Sequence, residues 1–197
     1  MVNSLIVGVT GASGAVYGVR LLEALHETPV ETHLVVSKWG QRTLEHETGR
    51  RLDDLRALTD HHYGAGDMAA LMSSGSAAID GMVIAPCSAR SLAAIACGLS
   101  ENLIHRAADV MIKERRPLVL MVRETPLSAI HLENMLKLAR LGVTILPPVP
   151  AFYNEPGSID EVVDYTVARA LDQFGLKLNL GERWGGELVR RVVSSEG

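Results

Sequence analysis

Three short segments carry the side chains that could do chemistry in this chain. They are the glycine-rich turn Gly11-Ala12-Ser13-Gly14-Ala15, the cation-containing run from Arg106 to Arg116, and the pair Arg123-Glu124. Glycines permit a tight turn, and the N–H groups at a helix start attract an anion. Cations and a carboxylate close to such a turn suit the binding of a phosphate and the transfer of a proton.

The glycine spacing in the turn narrows the choice of ligand. Gly8, Gly11 and Gly14 do not form G-x-G-x-x-G, and no acidic residue closes the second apolar run to bind a ribose. A Gly-Lys-Ser/Thr sequence for a nucleoside triphosphate is also missing. The turn therefore favours flavin mononucleotide (FMN) or another monophosphate over a dinucleotide. A tight turn that binds nothing is the alternative.

Hydroxyl groups follow three of the apolar runs. Ser13, Ser37 and Ser88 each stand where a predicted strand ends and a helix begins. Each serine alone is explained as a helix N-cap. Together they place three hydroxyls at the carboxyl ends of strands, where open α/β sheets bind ligands. Arg123 and Glu124 end another apolar run, so we expect them at the same edge of the sheet.

Two further candidates come from the last third of the chain. Tyr153 lies in a proline-rich loop after the fifth apolar run. Arg169 lies at the border of the apolar stripe of a predicted helix, about 20° from Val162. From that border a guanidinium can reach over the sheet, although extension into solvent is the ordinary alternative. We expect Arg115 and Arg116 to form a solvated helix end.

Five short apolar runs must position these residues. They are rich in Val, Ile and Leu, which is typical of strands covered on both faces. Helical patterns separate most of them, which predicts an α/β fold with a three-layer, Rossmann-like (flavodoxin-like) and mostly parallel sheet and helices on both faces. The predicted strands are Leu5–Val9, Thr32–Val36, Met82–Ala85, Leu118–Val122 and Val143–Leu146.

Capping signals predict where helices begin. Thr125-Pro126 reads as an N-cap followed by proline at the first helical position. Ser158 and Glu161 have the spacing of a capping box. Between Gly49 and Ser76 the pattern is weak and predicts a short helix and a loop, with His61-His62 in a surface loop.

Length and composition limit the class of protein. The 197 residues, 47% hydrophobic and 21% charged, indicate one globular flavin-binding domain over residues 1–197, with 181–197 as a polar C-terminal tail. The net charge of −4 argues against a nucleic-acid surface. Cys87 and Cys97 are too few for a disulfide framework, and neither has a His or Cys at ligand spacing, so no metal site is expected. Without a signal peptide or a long apolar run, we expect a cytoplasmic protein with no membrane contact.

Taken in order, these segments resemble the UbiX-type flavin prenyltransferases, which are Rossmann-like flavoproteins, from about Leu5 to Trp184. The resemblance implies a metal-independent transfer of a dimethylallyl group from dimethylallyl monophosphate to reduced FMN, first at N5 and then at C6. The prenylated FMN would serve a UbiD-type decarboxylase. Members of the family are homo-oligomers, commonly dodecamers, with sites at subunit contacts. The motifs that carry the resemblance are Gly11-Ala12-Ser13-Gly14 with Tyr17-Gly18, Ser74-Gly75-Ser76, Pro86-Cys87-Ser88, the run from Arg106 to Arg116, Arg123-Glu124-Thr125-Pro126-Leu127, and Pro150-Ala151-Phe152-Tyr153.

The resemblance also implies roles for single residues. Ser13, Glu47 and Glu124 match positions tied to proton handling. The flavin ring would shelter the allylic cation, and Trp184 from a neighbouring subunit would help it to do so. Lys113 would act with the prenyl-phosphate contacts to stabilise the charge of the departing phosphate. Those contacts fall on Tyr153 and Arg169, with Arg106 and Lys113 in the same anion-binding group. The flavin contacts fall on Gly11, Ala12, Ser13, Ser37, Ser88, Ala89, Arg90, Ser91 and Arg123.

Two alternative functions remain open. A flavin-dependent peptidyl-cysteine decarboxylase would call for a catalytic His beside the flavin and an Asn-containing loop after the third predicted strand. That loop reads Pro86-Cys87-Ser88-Ala89-Arg90 here. A non-catalytic FMN carrier would not need the combination of Lys113, Arg169 and Tyr153.

Overall fold

A parallel sheet forms the centre of the structure, a computed structural model that describes residues 2–181. Its six strands follow the order β3-β2-β1-β4-β5-β6, and every pair is parallel. This is the strand order of the Rossmann fold. The expected fold class is therefore confirmed. The strands are β1 (Ser4–Val9), β2 (Glu31–Val36), β3 (His61–Gly64), β4 (Gly81–Cys87), β5 (Leu118–Val122) and β6 (Thr144–Ile145).

Helices cover both faces of the sheet and make two separate cores. Successive strand residues alternate between the cores: Leu5 and Val7 belong to one, and Ile6 to the other. Because both faces are covered, all residues of β1, β4 and β5 are buried, which explains their continuous apolar sequences. One core contains residues of α1 (Ala15–His26), α2 (Lys38–Thr48), α3 (Leu52–Arg56) and α7 (Ile159–Asp172), and the other contains residues of α4 (Ala89–Ala96), α5 (Leu103–Lys113) and α6 (Ala129–Arg140).

Strand β3 is the element that the sequence prediction missed. His61-His62 begins this strand instead of lying in a surface loop. β3 is an edge strand and mostly exposed, so it lacks the apolar run that marks the other strands. It is joined to the sheet partly through His33, whose ring nitrogens lie 3.2 Å from Tyr63 Oη and 3.1 Å from Ser4 Oγ. The predicted short helix in this region is confirmed as α3.

The predicted start of helix α6 is wrong. Thr125-Pro126, joined by a cis peptide bond, precedes a loop, and Ser128 is the N-cap. Ser128 Oγ accepts from His131 N at 3.3 Å, and Ser128 N donates to His131 Nδ1 at 3.2 Å. This reciprocal pair satisfies two backbone N–H groups at the start of the helix, those of Ser128 and His131.

The predicted start of helix α7 is confirmed at Ser158, but only half of its capping box forms. Ser158 Oγ accepts from Glu161 N at 3.2 Å. The Glu161 carboxylate accepts from Gly157 N at 2.8 Å instead of from the Ser158 backbone. Among residues 2–181, no helix is both long and apolar enough to cross a membrane.

Helix α1 approaches β4 closely at Gly18, and we expect Gly18→Ala to destabilise the fold. A Cβ at this position would lie 2.5 Å from the carbonyl oxygen of Ala85, so the backbone must move. We expect the free energy of unfolding to fall by about 1–3 kcal/mol, measured by urea denaturation. Gly66→Ala is the control, since its Cβ would meet no atom within 4 Å. Equal urea midpoints for the two variants would contradict the close approach.

Candidate functional site

The strand order reverses between β1 and β4, and this reversal opens a crevice at the carboxyl edge of the sheet. The chain leaves β1 toward α1 on one face and leaves β4 toward α4 on the other. In open α/β sheets, ligands bind at such a reversal. The turn from Gly11 to Gly14 and the turn from Pro86 to Ser88 are the two sides of this crevice.

Thr10 joins the two sides of the crevice at their base. Its backbone N–H and its hydroxyl both donate to Pro86 O, at 3.2 and 2.8 Å. Ser88 N donates to Thr10 Oγ1 at 2.8 Å. Thr10 is buried, so these bonds hold the turns after β1 and β4 at a fixed separation. The sequence analysis missed Thr10, although a polar residue at the end of an apolar run is a usable signal.

The turn after β1 holds the carboxylate of Glu47. The backbone N–H groups of Gly14 and Ala15 both donate to Glu47 Oε2 at 2.8 Å. Partial burial raises the pKa of Glu47. Hydrogen bonds from the Ser13 hydroxyl and from these N–H groups, with the charge of Arg123, have a larger and opposite effect, so the pKa of Glu47 lies below its ordinary value. Glu47 is therefore ionised at neutral pH and orients Ser13. It also takes two of the N–H groups that a phosphate would otherwise use.

Gly11 lies in the tightest part of this turn. A Cβ at Gly11 would come within 2.4 Å of the Cβ of Trp39, which stands near the start of α2. Gly14 has a φ of 101°, a value that side-chain-bearing residues rarely adopt. Both glycines are thus required by the backbone path. Gly11 and Ser13 are exposed, so a ligand can approach the backbone of this turn closely.

Arg123 crosses from the end of β5 to the turn after β1. Its Nε donates to Ser13 O at 3.3 Å, and its backbone N–H donates to Cys87 O at 3.1 Å. Glu124 follows and is half-buried; its Oε1 accepts from Thr125 N at 3.0 Å. The structure therefore places both residues at the carboxyl edge, as the sequence predicted.

The serines predicted to cap helices do so at the same edge. Ser37 Oγ accepts from Gly40 N at 3.0 Å, and Ser88 Oγ accepts from Ser91 N at 3.2 Å. Ala89 and Arg90 form the first turn of α4. Arg90 is exposed and its guanidinium pairs with Glu101 at 3.0 Å. One chain thus brings together all the candidate flavin contacts, from the Gly11–Ser13 turn to Ser37, Ser88–Ser91 and Arg123.

Tyr153 and Arg169 form a second group, near helix α7. The Tyr153 hydroxyl lies 2.5 Å from the Tyr165 hydroxyl, and the two rings meet edge to face. This hydrogen bond, together with partial burial, raises the pKa of Tyr165. Arg169 lies one turn after Tyr165 and pairs with Asp172 at 2.8 Å. Tyr165 also lines a pocket beside the Ala151–Pro156 loop, and the sequence analysis missed it.

Lys113 and Arg106 form a third group, on α5. Leu103 N, at the start of α5, donates to Ala65 O just after β3, so this helix begins at the carboxyl edge. It ends with Lys113 near the amino edge, where the chain enters β5. There the ammonium of Lys113 pairs with Glu114. Arg106 donates from Nε to Ser73 O at 3.1 Å and pairs with Asp109 at 2.8 Å. One chain therefore does not bring Lys113 together with Tyr153 and Arg169, because α5 and α7 cover opposite faces.

The expectation of a solvated helix end is wrong for Arg116. This residue is half-buried, and its guanidinium donates to Ala77 O at 2.6 Å and to Gly75 O at 2.8 Å. Loop carbonyls before β4 need donors, and Arg116 supplies two in a fixed fork. A Cβ at Gly75 would lie 2.4 Å from Lys113 Nζ, so the same loop packs against Lys113. Arg115 is exposed, as expected.

Cys87, in the turn after β4, has a thiol that we expect to be unreactive. The residue is fully buried, and this burial raises its pKa to about 12. The thiolate is the reactive form, so Cys87 is almost entirely protonated at pH 8. Cys97 is exposed. Titration of the folded protein with a thiol-specific disulfide reagent should modify Cys97 and leave Cys87 intact until denaturant is added. Fast modification of both thiols in folded protein would show that the turn is open.

Comparisons with known proteins place this chain and its fold among flavoproteins. The family model described as Flavoprotein matches residues 2–171. A probable UbiX-like flavin prenyltransferase from Bacillus subtilis is 57% identical, over 92% of this chain and 89% of that protein. The crystal structure of AnUbiX (PadA1) in complex with FMN and dimethylallyl pyrophosphate has a TM-score of 0.93 at 51% identity, covering 95% of this chain and 100% of that one. A dodecameric FMN-dependent Ubix-like decarboxylase from Escherichia coli O157:H7 has a TM-score of 0.91 at 55% identity, covering 93% and 100%.

Proposed function

This chain belongs to the flavoprotein family and, within it, to the UbiX-like flavin prenyltransferases, and from that premise we propose how its residues act. The enzyme is a transferase that joins a dimethylallyl group to FMN. We assign dimethylallyl monophosphate as the donor and N5 and then C6 of reduced FMN as the acceptor atoms. The observation that carries this function is the convergence of the Gly11–Ser13 turn, Ser88 and Arg123 on the crevice between β1 and β4.

The residues at this crevice fit FMN. Gly11 and Ser13 are exposed, so the backbone of the turn is accessible at this crevice. The hydroxyls of Ser13 and Ser37 and the guanidinium of Arg123 are donors of the kind that phosphate and flavin oxygens require. The Ser88–Ser91 turn stands on the opposite side and would hold the ring. When bound, reduced FMN supplies the nucleophilic ring to which the prenyl group is attached.

The anion-binding group would stabilise the departing phosphate. A monophosphate is a poor leaving group unless donors meet the charge that develops on it. Lys113, Arg106 and Arg169 are cations, and the Tyr153 hydroxyl is a further donor. Because one chain holds these residues on opposite faces of the sheet, we propose that neighbouring subunits of a homo-oligomer, a dodecamer, bring them together.

Helix α6 supports assembly through subunit contacts. Ile130, Leu132 and Leu136 are 67%, 52% and 51% exposed. A run of large apolar side chains left in water on one helix marks an association surface. The dodecameric relative has the same fold along nearly the whole chain. Trp184, expected to complete a neighbouring site, lies outside the described residues.

Two carboxylates would serve proton transfer, one by positioning a hydroxyl and one by moving the proton itself. Glu47 is held ionised by two backbone N–H groups and orients the Ser13 hydroxyl, so we assign it to positioning that hydroxyl. Glu124 stands half-buried at the end of β5 beside Arg123. We assign Glu124 as the general acid/base that moves a proton between the flavin edge and the phosphate.

The product has a recipient that remains a proposal. Prenylated FMN would pass to a UbiD-type decarboxylase, which would use it as a cofactor. A cytoplasmic location and a single domain over residues 1–197 also remain predictions from the sequence.

Anaerobic incubation of the protein with reduced FMN and dimethylallyl monophosphate tests this function. We expect mass spectrometry to find a flavin that is heavier by one prenyl unit, and no such flavin when the prenyl phosphate is omitted. A non-catalytic carrier would return unmodified FMN, and so would a peptidyl-cysteine decarboxylase. Unmodified FMN from folded, assembled protein would therefore contradict the transferase.

A further inference from the structure

His105, on α5, is a buried histidine that the proposed chemistry leaves unused. His105 is 3% exposed, and its neighbour Ile104 is fully buried in the core that contains residues of α4, α5 and α6. A polar ring in such a place costs free energy unless its nitrogens are hydrogen-bonded. Nε2 lies 3.2 Å from Ser91 Oγ. Nδ1 has no hydrogen-bond partner in the described part of the chain.

His105 has one close hydrogen-bond partner, the Ser91 hydroxyl. Burial lowers the pKa of His105, so the ring is neutral at pH 7 and has one N–H. Asn102 Nδ2, at 3.5 Å from Nε2, is at the outer limit of hydrogen bonding. Nε2 and Ser91 Oγ therefore share the one short hydrogen bond of this ring, and the tautomer decides which of the two atoms donates.

Ser91 connects His105 to the turn that begins α4. Ser88 Oγ donates to Ser91 Oγ at 3.2 Å and accepts from Ser91 N at 3.2 Å, so the two serines form a closed pair. Ser88 N in turn donates to Thr10 Oγ1 at 2.8 Å. Hydrogen bonds thus run from α5 through Ser91 and Ser88 to the end of β1. This path passes along one side of the crevice.

We propose that His105 is a positioning residue for the flavin, because its bond to Ser91 holds the Ser88–Ser91 turn in the conformation that binds FMN. This inference rests on the proposed function, in which that turn holds the flavin. Without this bond, the Ser91 hydroxyl can rotate among its staggered positions, and Ser88 loses a fixed acceptor. In metal centres, residues that hydrogen-bond to the metal ligands orient those ligands in the same way.

A double-mutant cycle on FMN affinity tests this role. FMN is titrated into the full chain, and binding is followed by flavin fluorescence for wild type, His105→Leu, Ser91→Ala and the double variant, with the melting temperature of each. We expect His105→Leu to weaken FMN binding about tenfold in the wild-type background and by less than about twofold in the Ser91→Ala background. His105→Gln, whose amide group can either donate to or accept from the Ser91 hydroxyl, should bind FMN within about twofold of wild type.

The outcomes separate this role from simple packing. Additive effects in the cycle, or His105→Gln as weak as His105→Leu, would show that His105 only fills the core. If His105→Leu does not fold, His105→Met takes its place in the cycle. If wild-type protein binds FMN but does not prenylate it, the transferase function is overturned. The double-mutant cycle on FMN affinity then still tests the role of His105. Wild-type protein that does not bind FMN would overturn both.

Discussion

Glu124→Gln is expected to keep FMN bound and to lose turnover by about 10²–10⁴-fold. The amide has the shape of the carboxyl group, and its oxygen can still accept from Thr125 N, as Glu124 Oε1 does at 3.0 Å. The side chain therefore stays at the end of β5. An amide, however, neither takes up nor releases a proton at neutral pH, so the proposed proton transfer between the flavin edge and the phosphate stops.

Two measurements check this result. FMN affinity is obtained by titration, and turnover is obtained as the rate of prenylated flavin formation without oxygen. Glu27→Gln is the matched control, because it removes an exposed carboxylate just after α1. Wild-type turnover in Glu124→Gln would remove this residue from acid/base chemistry. Loss of FMN binding would instead assign it to the flavin site.

Lys113→Met and Arg169→Met are each expected to abolish most prenyl transfer while their equimolar mixture regains part of it. Each variant removes a cation that would meet the departing phosphate, and loss of one such donor costs about 10²–10³-fold in rate. In one chain these residues lie on opposite faces of the sheet. If a site takes Lys113 from one subunit and Arg169 from another, mixed assembly restores intact sites.

The size of the recovery identifies the arrangement. With random assembly of the two variants into a closed oligomer, about one quarter of sites receive both native residues. Chains are mixed under dissociating conditions, reassembled, and assayed against each variant treated alone. A mixture with Arg56→Met controls for dilution, because this exposed arginine on α3 pairs with Asp53 and has no proposed role. No recovery in fully mixed oligomers would mean that the two cations act within one chain or not at all.

Local signals explain which parts of the fold could be predicted. Strands buried on both faces must be apolar along their length, so β1, β4 and β5 are visible as runs of Val, Ile and Leu. Helix caps involve residues three positions apart, so Ser37, Ser88 and Ser158 are also visible. β3 carries no such signal because it is an exposed edge strand. At α6 the predicted signal at Thr125 was wrong, because the helix begins at Ser128, which forms a reciprocal pair with His131.

The candidate site was predictable only in part, for a related reason. The glycine turn and the pair Arg123-Glu124 are recognised by their place at strand ends. Thr10 and His105 act through residues that are distant along the chain: Thr10 bonds to Pro86, 76 positions away, and His105 bonds to Ser91, 14 positions away. Hydrogen bonds depend on separations of about 3 Å in space, and composition or spacing does not report them.

By itself, the sequence determined that this chain has a covered parallel sheet, a phosphate-type turn after its first strand, and a cation beside a carboxylate at the same edge. Only the tertiary structure decided that the strand order reverses between β1 and β4. It also decided that Arg116 donates to loop carbonyls and that Lys113 lies apart from Tyr153 and Arg169. The physical reason is that strands and caps follow from neighbours along the chain. A site, in contrast, follows from which helix covers which face of the sheet.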